Sequence, residues 1–368
     1  MEFIVSARKY RPITFQSVVG QSHITHTLKN AIKSQQLAHA YLFCGSRGVG
    51  KTTCARIFAK TINCQALTAE FEACDQCESC KSFRENRSYN IHELDAASNN
   101  SVDDIRLLID KVRVPPQIGK YSVYIIDEVH MLSSQAFNAF LKTLEEPPKH
   151  AIFILATTEK HKILPTILSR CQIFDFNRIS VVDGVEHLKF VAKSENIEVE
   201  EEGLNVIAQK ADGAMRDALS IFDQIVAFSG KKITYKDVIQ NLNVLDYDYY
   251  FKLVDYFLEE NVVDSLLTFD DILTKGFDSY HFLSGLSAHF RDLMVCKDPR
   301  SVSLLEVSTS IADRFKVQSQ NCTIDFLYDA LSSSTEAELQ YKNAKSKRLY
   351  IEFVLIKLAR LLTEKKKL

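Results

Sequence analysis

Ten residues near the start of the chain, CGSRGVGKTT at 44–53, combine three glycines with an arginine, a lysine and two threonines. Gly45, Gly50, Lys51 and Thr52 fill the pattern G-x-x-x-x-G-K-[ST], with Ser46, Arg47, Gly48 and Val49 between the outer glycines. Backbone without Cβ atoms can wrap closely around phosphate and aim its N–H groups at it. The helix opened by the motif adds partial positive charge at its first turn. Lys51 is placed to neutralise the outer phosphates of a nucleoside triphosphate, and Thr52 to ligate Mg2+. A second element of the same chemistry stands at 127–128, where the apolar run VYII ends in Asp127 and Glu128. Acids at the C-terminal end of a strand face the ligand crevice of an open sheet. Asp127 can hold Mg2+ through water, and Glu128 can orient or deprotonate an attacking water. A glutamate in that place fits hydrolysis better than transfer by a kinase, which must keep water out.

Four of the nine cysteines form C-x9-C-x2-C-x2-C: Cys64, Cys74, Cys77 and Cys80. In a reducing compartment such clustering points to metal rather than disulfides. Four thiolates close a tetrahedral Zn2+ shell and leave no open position, which is the pattern of a structural site. The two-residue gaps also suit an iron–sulfur cluster, although the C-x3-C-P continuation is missing. Cys44, Cys54, Cys171, Cys296 and Cys322 read as packing residues.

These side chains need a scaffold. Candidate strands are AYLF (40–43), IHELD (91–95), SVYIIDE (122–128), AIFILAT (151–157) and CQIFDF (171–176), with helical patterns between most of them. That alternation predicts an α/β fold with a five-stranded parallel sheet covered on both faces. After VYIIDE, Ser133 can cap a helix whose Phe137, Phe140, Leu141 and Leu144 share one face, and Pro147 and Pro148 end it. From about 179 the strand signal fades into short helices. From about 243 the text is helical throughout, and Ile351, Leu355, Leu358 and Leu362 mark a final helix. The expected division is an α/β domain at 1–178 carrying the cysteine insert, a domain of short helices at 179–242 and an all-helical domain at 243–368.

Six stretches carry a resemblance: ARKYRPITFQSVVGQ, HAYLFCGSRGVGKTTCAR, ELDAASNNSVDDIR, YIIDEVHMLSSQAFNAFLKTLEEPP, ILATTEKHKILPTILSRCQIFDF and ADGAMRDALSIFDQ. Over residues 5–228 the chain closely resembles the gamma/tau subunits of bacterial DNA polymerase III clamp loaders, which are AAA+ ATPases. The resemblance implies ATP, Mg2+ and Zn2+ as cofactors. Within SRC at 169–171, it implies that Arg170 is an arginine finger reaching a neighbouring subunit's nucleotide. It places a sensor at Thr158, with Thr157 as second choice, and a second sensor at Arg216. A basic residue opening a helix disfavours the helix dipole, which fits a role facing phosphate. The segments RKYRP, with Arg11, and VVGQ, with Val19, would enclose adenine and ribose. Implied partners are the other subunits of a hetero-pentameric loader, the sliding clamp, primer–template DNA and the polymerase holoenzyme, of which this would be an ATPase subunit rather than the polymerising one. The helices from 243 would form the collar. The longer family form adds helicase- and polymerase-binding regions that this sequence does not contain, so clamp loading without those tethers is expected. Two rival readings share the core: an adaptor that binds nucleotide without hydrolysing it, and a helicase-type AAA+ motor. The complete set Lys51, Thr52, Asp127 and Glu128 disfavours the first, and the cysteine insert and SRC motif disfavour the second.

Composition bounds the rest. A length of 368 residues exceeds one ordinary core. No apolar run of about 18 residues or signal-like N-terminus is found, so the expected location is the cytoplasm. The formal net charge of −2 excludes a protein coated in basic residues for nucleic acid. Any DNA contact must be local or shared among subunits, with helix-start N–H groups as its carriers.

Overall fold

The computed structural model describes residues 4–85, 87–116 and 119–365. Its described residues fall into two units. One comprises the residues through Glu195 plus Ile207–Gln224, and the other Asn196–Val206 plus the residues from Ile225 onward.

The first unit is built on parallel strands β1 (Ala40–Cys44), β2 (Ile91–Asp95), β3 (Ser122–Asp127), β4 (Ala151–Thr157) and β5 (Gln172–Asp175). Their lateral order is β2-β3-β4-β1-β5. The apolar runs of β1, β3 and β4 do not alternate in polarity, because both faces of the sheet are covered. They do alternate in direction. Tyr41, Phe43, Val123, Ile125, Ile152 and Ile154 pack on one face with α2 (Ser22–Lys33) and α3 (Lys51–Ile62). Leu42, Tyr124, Ile126, Phe153 and Leu155 pack on the other with α5 (Val102–Val112) and α6 (Ser134–Glu145). In α6 the Ser133 hydroxyl accepts from the Ala136 amide at 3.2 Å, and Phe137, Phe140 and Leu144 are buried. The remaining helices of this part are α1 (Ser6–Lys9), α4 (Glu78–Arg84) in the cysteine insert, α7 (Pro165–Leu168) and α8 (Val181–Ser194). Insertion of β4 between β1 and β3 sets the ends of β1, β3 and β4 side by side, and the candidate site lies at those ends.

Two helices, α9 (Glu201–Lys210) and α10 (Met215–Ser229), each run from one unit into the other. The second unit also holds β6 (Glu198–Val199) and β7 (Lys232–Ile233), a parallel pair of two residues each. Strands this short carry no periodicity, which is why the sequence reads there as helix and loop only. The other helices are α11 (Tyr235–Asn241), α12 (Tyr247–Leu258), α13 (Val262–Thr274), α14 (Ser279–Val295), α15 (Thr309–Asn321), α16 (Ile324–Tyr341) and α17 (Lys347–Lys365). Their shared core includes Phe257, Phe269, Phe282, Phe290, Phe326 and the predicted stripe Ile351, Leu355 and Leu358. No helix among the described residues is long and apolar enough to cross a membrane.

Candidate nucleotide site

The loop between β1 and α3 begins flush with β4, because the Gly45 amide donates to the Thr157 carbonyl at 3.2 Å. All three of its glycines sit where L side chains are strained, Gly45 at φ 150°, Gly48 at φ 78° and Gly50 at φ 103°. A Cβ on Gly48 would stand 2.9 Å from that of Ala214, while a Cβ on Gly50 would point into open space. The amides of residues 46–53 donate to no acceptor among the described residues. They comprise the unsatisfied first turn of α3 and the loop that leads into it, which is a ready anion cradle. Lys51 is buried, and its ammonium donates to the Gly45 and Ser46 carbonyls at 2.7 and 2.8 Å, holding the loop closed on itself. Burial lowers its pKa, while Glu128 and Asp127 push it back up.

The acids at the end of β3 meet this loop directly. The Thr52 hydroxyl donates to Asp127 Oδ2 at 2.7 Å. A hydroxyl and a carboxylate converging beside a helix N-terminus form the oxygen-only set that a hard divalent cation prefers. The other Asp127 oxygen accepts from the Glu128 amide at 3.0 Å. Glu128 has φ 48°, an uncommon conformation for a side-chain-bearing residue. Its Oε2 accepts from the Thr158 hydroxyl at 2.9 Å and amide at 3.2 Å. The Thr157 hydroxyl faces elsewhere, 3.0 Å from His130 Nδ1 and accepting the Glu159 amide at 3.0 Å. Of the two threonines proposed as sensor, Thr158 therefore touches the acid.

His130 was not singled out from the sequence. Its buried ring lies 3.4 Å from Glu128 and 3.3 Å from Glu159, so it braces the back of the carboxylate. Its sequence signal is its place two residues after Glu128, and it lies on the 3-10 turn Val129–Met131.

Beyond the loop opens a cleft of about 630 Å³. Arg11, Val19, Arg47, Gly48, Val49, Gly50, Lys51, Thr52, Asp127, Glu128 and Arg216 all line it. Gly45 and Ser46 do not line it but accept from Lys51, which does, and Thr158 reaches it through Glu128, whereas Thr157 and the groups its hydroxyl meets, His130 and Glu159, do not line it. The Arg11 guanidinium donates to the Thr53 hydroxyl at 3.1 Å. Burial, and then nearby Arg56, lower its pKa. The Arg216 guanidinium has no hydrogen-bond or ion-pair partner among the described residues. Arg170 is not brought to this cleft. It is exposed beyond α7, donating to Glu145 and to the Thr166 carbonyl, each at 2.7 Å. Further lining residues that the sequence did not disclose are Glu93 on β2, His187 on α8, and Met215 and Leu219 on α10.

The four cysteines of the insert also converge. The sulfurs of Cys64, Cys74, Cys77 and Cys80 all lie within 4.8 Å of one another, a spacing that one tetrahedral metal ion can bridge. The Cys64 sulfur accepts the Cys74 amide at 3.3 Å, and the Cys74 sulfur accepts the Gln76 and Cys77 amides at 3.5 and 3.3 Å. The Gln76 and Cys77 amides lower the Cys74 thiol to about 6, whereas burial raises Cys64 and Cys80. The insert is fastened to the N-terminal segment by Glu72, which accepts the Phe15 and Gln16 amides, and to α3 by the ion pair of Lys60 with Asp75 at 2.8 Å, the same ammonium also donating to the Ile13 carbonyl at 2.8 Å.

Comparison with known proteins fits this geometry. Residues 20–180 match the family "DNA polymerase III, delta subunit", and residues 185–231 match "DNA polymerase III clamp loader subunit, ATPase lid domain". The DNA polymerase III subunit gamma of Buchnera aphidicola subsp. Baizongia pistaciae is 33% identical over 99% of both chains. The chain belongs to the DNA polymerase III gamma/tau family. Subunit tau of Bacillus subtilis is 41% identical over 97% of this chain, and that of Escherichia coli K12 41% identical over 76%. This gamma/tau-family chain spans 63% and 43% of those two relatives. A Thermotoga maritima RuvB structure overlays at TM-score 0.48 and 20% identity over 68% of this chain and 80% of that one, too loosely to bear on function.

Proposed function

We propose that the chain binds Mg·ATP in this cleft and hydrolyses it as a motor subunit of a DNA polymerase III clamp loader. The observation that carries the reading is the convergence of three features. These are the unpaired amides of residues 46–53, the Thr52–Asp127 contact, and a Glu128 held in place by Thr158. The amides and Lys51 bind the triphosphate, Lys51 exchanging loop carbonyls for phosphate oxygens. Thr52 and Asp127 would hold Mg2+, which supplies charge neutralisation at the phosphates. Glu128 takes a proton from the attacking water. Arg216, unpaired at the cleft, faces the nucleotide of its own subunit.

Arg170, exposed and remote from the cleft, fits a role toward a neighbouring subunit. In this reading residues 1–178 serve as ATPase domain, 179–242 as lid and 243–368 as collar, a division by task that differs from the two compact units of the fold. The four cysteines would hold a structural Zn2+. The partners proposed are other loader subunits, the sliding clamp, primer–template DNA and the holoenzyme. The test is Arg170→Ala in the assembled complex. Hydrolysis stimulated by clamp and primed DNA should drop roughly 10³-fold with ATP binding retained. Full-rate hydrolysis would remove the trans role.

A further inference from the structure

Two connections run between the four-cysteine insert and the cleft. The first is α3, which opens at Lys51 beside the glycine loop and ends at Ile62, so that its 12 residues span about 18 Å. Cys64, the first of the four cysteines, follows almost at once, its amide donating to the Thr61 carbonyl at 3.1 Å. The second is the N-terminal segment, against which the insert folds back. Glu72 is buried, and its two oxygens accept the Phe15 amide at 3.0 Å and the Gln16 amide at 3.2 Å. The buried Lys60 ammonium bridges Asp75 of the insert and the Ile13 carbonyl, each at 2.8 Å. Phe15 belongs to the buried core that includes Leu28 of α2 and Phe58 of α3. Two residues upstream of Ile13 the same segment becomes wall of the cleft. Pro12, with its ring-fixed φ, and Arg11 line it, and Arg11 donates to the Thr53 hydroxyl on the first turn of α3 at 3.1 Å. The two acids of the insert stand at strained backbone. Phe71, just before Glu72, has φ 59°, and Asp75 itself has φ 55°. Side-chain-bearing residues keep that conformation only where their surroundings dictate it. Here Thr68 bonds the Glu72 carbonyl and amide, and the Cys64 and Cys74 sulfurs accept the amides of Cys74 and Cys77.

We infer that the insert governs the nucleotide affinity of the cleft by holding residues 13–16 and through them Arg11, so that Zn2+ in the insert and Mg·ATP in the cleft favour one another. The inference rests on the proposed nucleotide site and adds its control by the metal-binding insert. The link is built into the spacing of the insert, because Asp75 lies between Cys74 and Cys77 and Glu72 lies two residues before Cys74. With the four sulfurs fixed on one ion, Glu72 and Asp75 stay in place, residues 13–16 keep their hydrogen bonds and Arg11 stays at the cleft. Without that constraint the turns at Phe71 and Asp75 relax, and the wall that carries Arg11 is free to leave Thr53. A nucleotide must then order the wall as it binds, which lowers its affinity. A coupling between two sites acts equally in both directions, so nucleotide must also tighten the metal. No residue of the insert among the described residues lines the cleft, so the effect is one of position rather than contact.

The experiment measures both affinities on the full chain, well below its thermal unfolding. Mg·ATP is titrated into chain carrying one Zn2+ and into chain stripped of metal. Zn2+ affinity is then read by competition with a chromogenic chelator, with and without saturating Mg·ATP. Stripping should weaken ATP about fivefold or more, and Mg·ATP should strengthen Zn2+ by the same factor. Amide exchange at Phe15 and Gln16 should quicken in the stripped chain. Glu72→Gln and Asp75→Asn, both loaded with Zn2+, keep all four cysteines, and each should weaken ATP about threefold or more. In an Arg11→Ala background Glu72→Gln should have little further effect, because the two changes act on one route. The inference fails if stripped and loaded wild type bind ATP equally, or if Mg·ATP leaves Zn2+ affinity unchanged, since a merely structural insert would move the thermal midpoint alone. It also fails if Glu72→Gln weakens ATP by the same factor with and without Arg11. Should the stripped chain lose its helical circular dichroism, the two loaded variants decide, and wild-type ATP affinity in both overturns the inference. A wild-type chain that binds no ATP in either state overturns the nucleotide site instead.

Discussion

At the scale of single residues, Glu128 and the two groups that hold it divide the work in a way kinetics can resolve. Glu128→Gln keeps the shape and removes the base. ATP affinity should stay within about twofold while single-turnover hydrolysis drops roughly 10²- to 10⁴-fold. Thr158→Val deletes the 2.9 Å hydroxyl contact and leaves the amide contact. Its kcat should fall by about tenfold, a hydrogen bond's worth, with KM little changed. A rise in KM at constant kcat would place Thr158 on substrate rather than on the acid. The sequence showed Lys51, Thr52, Asp127 and Glu128 because their spacing is local and tied to a strand end. It did not separate Thr157 from Thr158, because which of two adjacent side chains faces Glu128 depends on how β4 sits beside β3. His130 was missed because its partners lie on different segments, at 128, 157 and 159.

Elements position these residues, and two of them carry measurable consequences. The cysteine insert grips the N-terminal segment through Glu72, whose side chain is 8% exposed and paired with Lys29 at 2.6 Å. Removing one partner of such a pair leaves the other charge without compensation, so Glu72→Ala should destabilise the first unit by about 3 kcal/mol. Thermal unfolding measures this, and an unchanged midpoint would show that the insert packs independently of residues 13–16. In α14, His289 is fully enclosed by Phe251, Phe315 and Gln318, and burial lowers its pKa from 6.5 to about 3. Between those values the unfolded chain binds a proton that the folded chain refuses. Stability conferred by the neutral ring is therefore full above about 6.5 and is lost as pH falls toward 3, by up to about 1.4 kcal/mol per pH unit. Urea unfolding followed by helical circular dichroism at pH 7 and pH 5 should show a larger loss for wild type than for His289→Gln. Equal losses would contradict it. The helices themselves were legible from Ser133 capping and from the stripe in α17, because both signals are short-range. The pair β6–β7 was not, since two residues per strand carry no pattern.

Across the molecule, the class of fold followed from strands alternating with helices, but the lateral order did not. Nothing in the run AIFILAT says that it must lie between β1 and β3, yet this placement brings Thr158 to Glu128, the acid that follows β3. Arg170 illustrates the opposite case. Its surroundings in this chain are Glu145 and a turn of its own backbone, so the resemblance alone marked it. The proposed role would lie in the next protomer. The whole account depends on a triphosphate seated on the amides of residues 46–53 with Lys51 closing over it. Calorimetric titration of Mg·ATP into the full chain, wild type against Lys51→Ala, tests that most directly. Wild type should bind one ATP per chain, and the variant should bind about 10- to 100-fold more weakly, as expected for loss of a charge-assisted contact to phosphate. Equal affinity in the two proteins, or no binding by wild type, would contradict it.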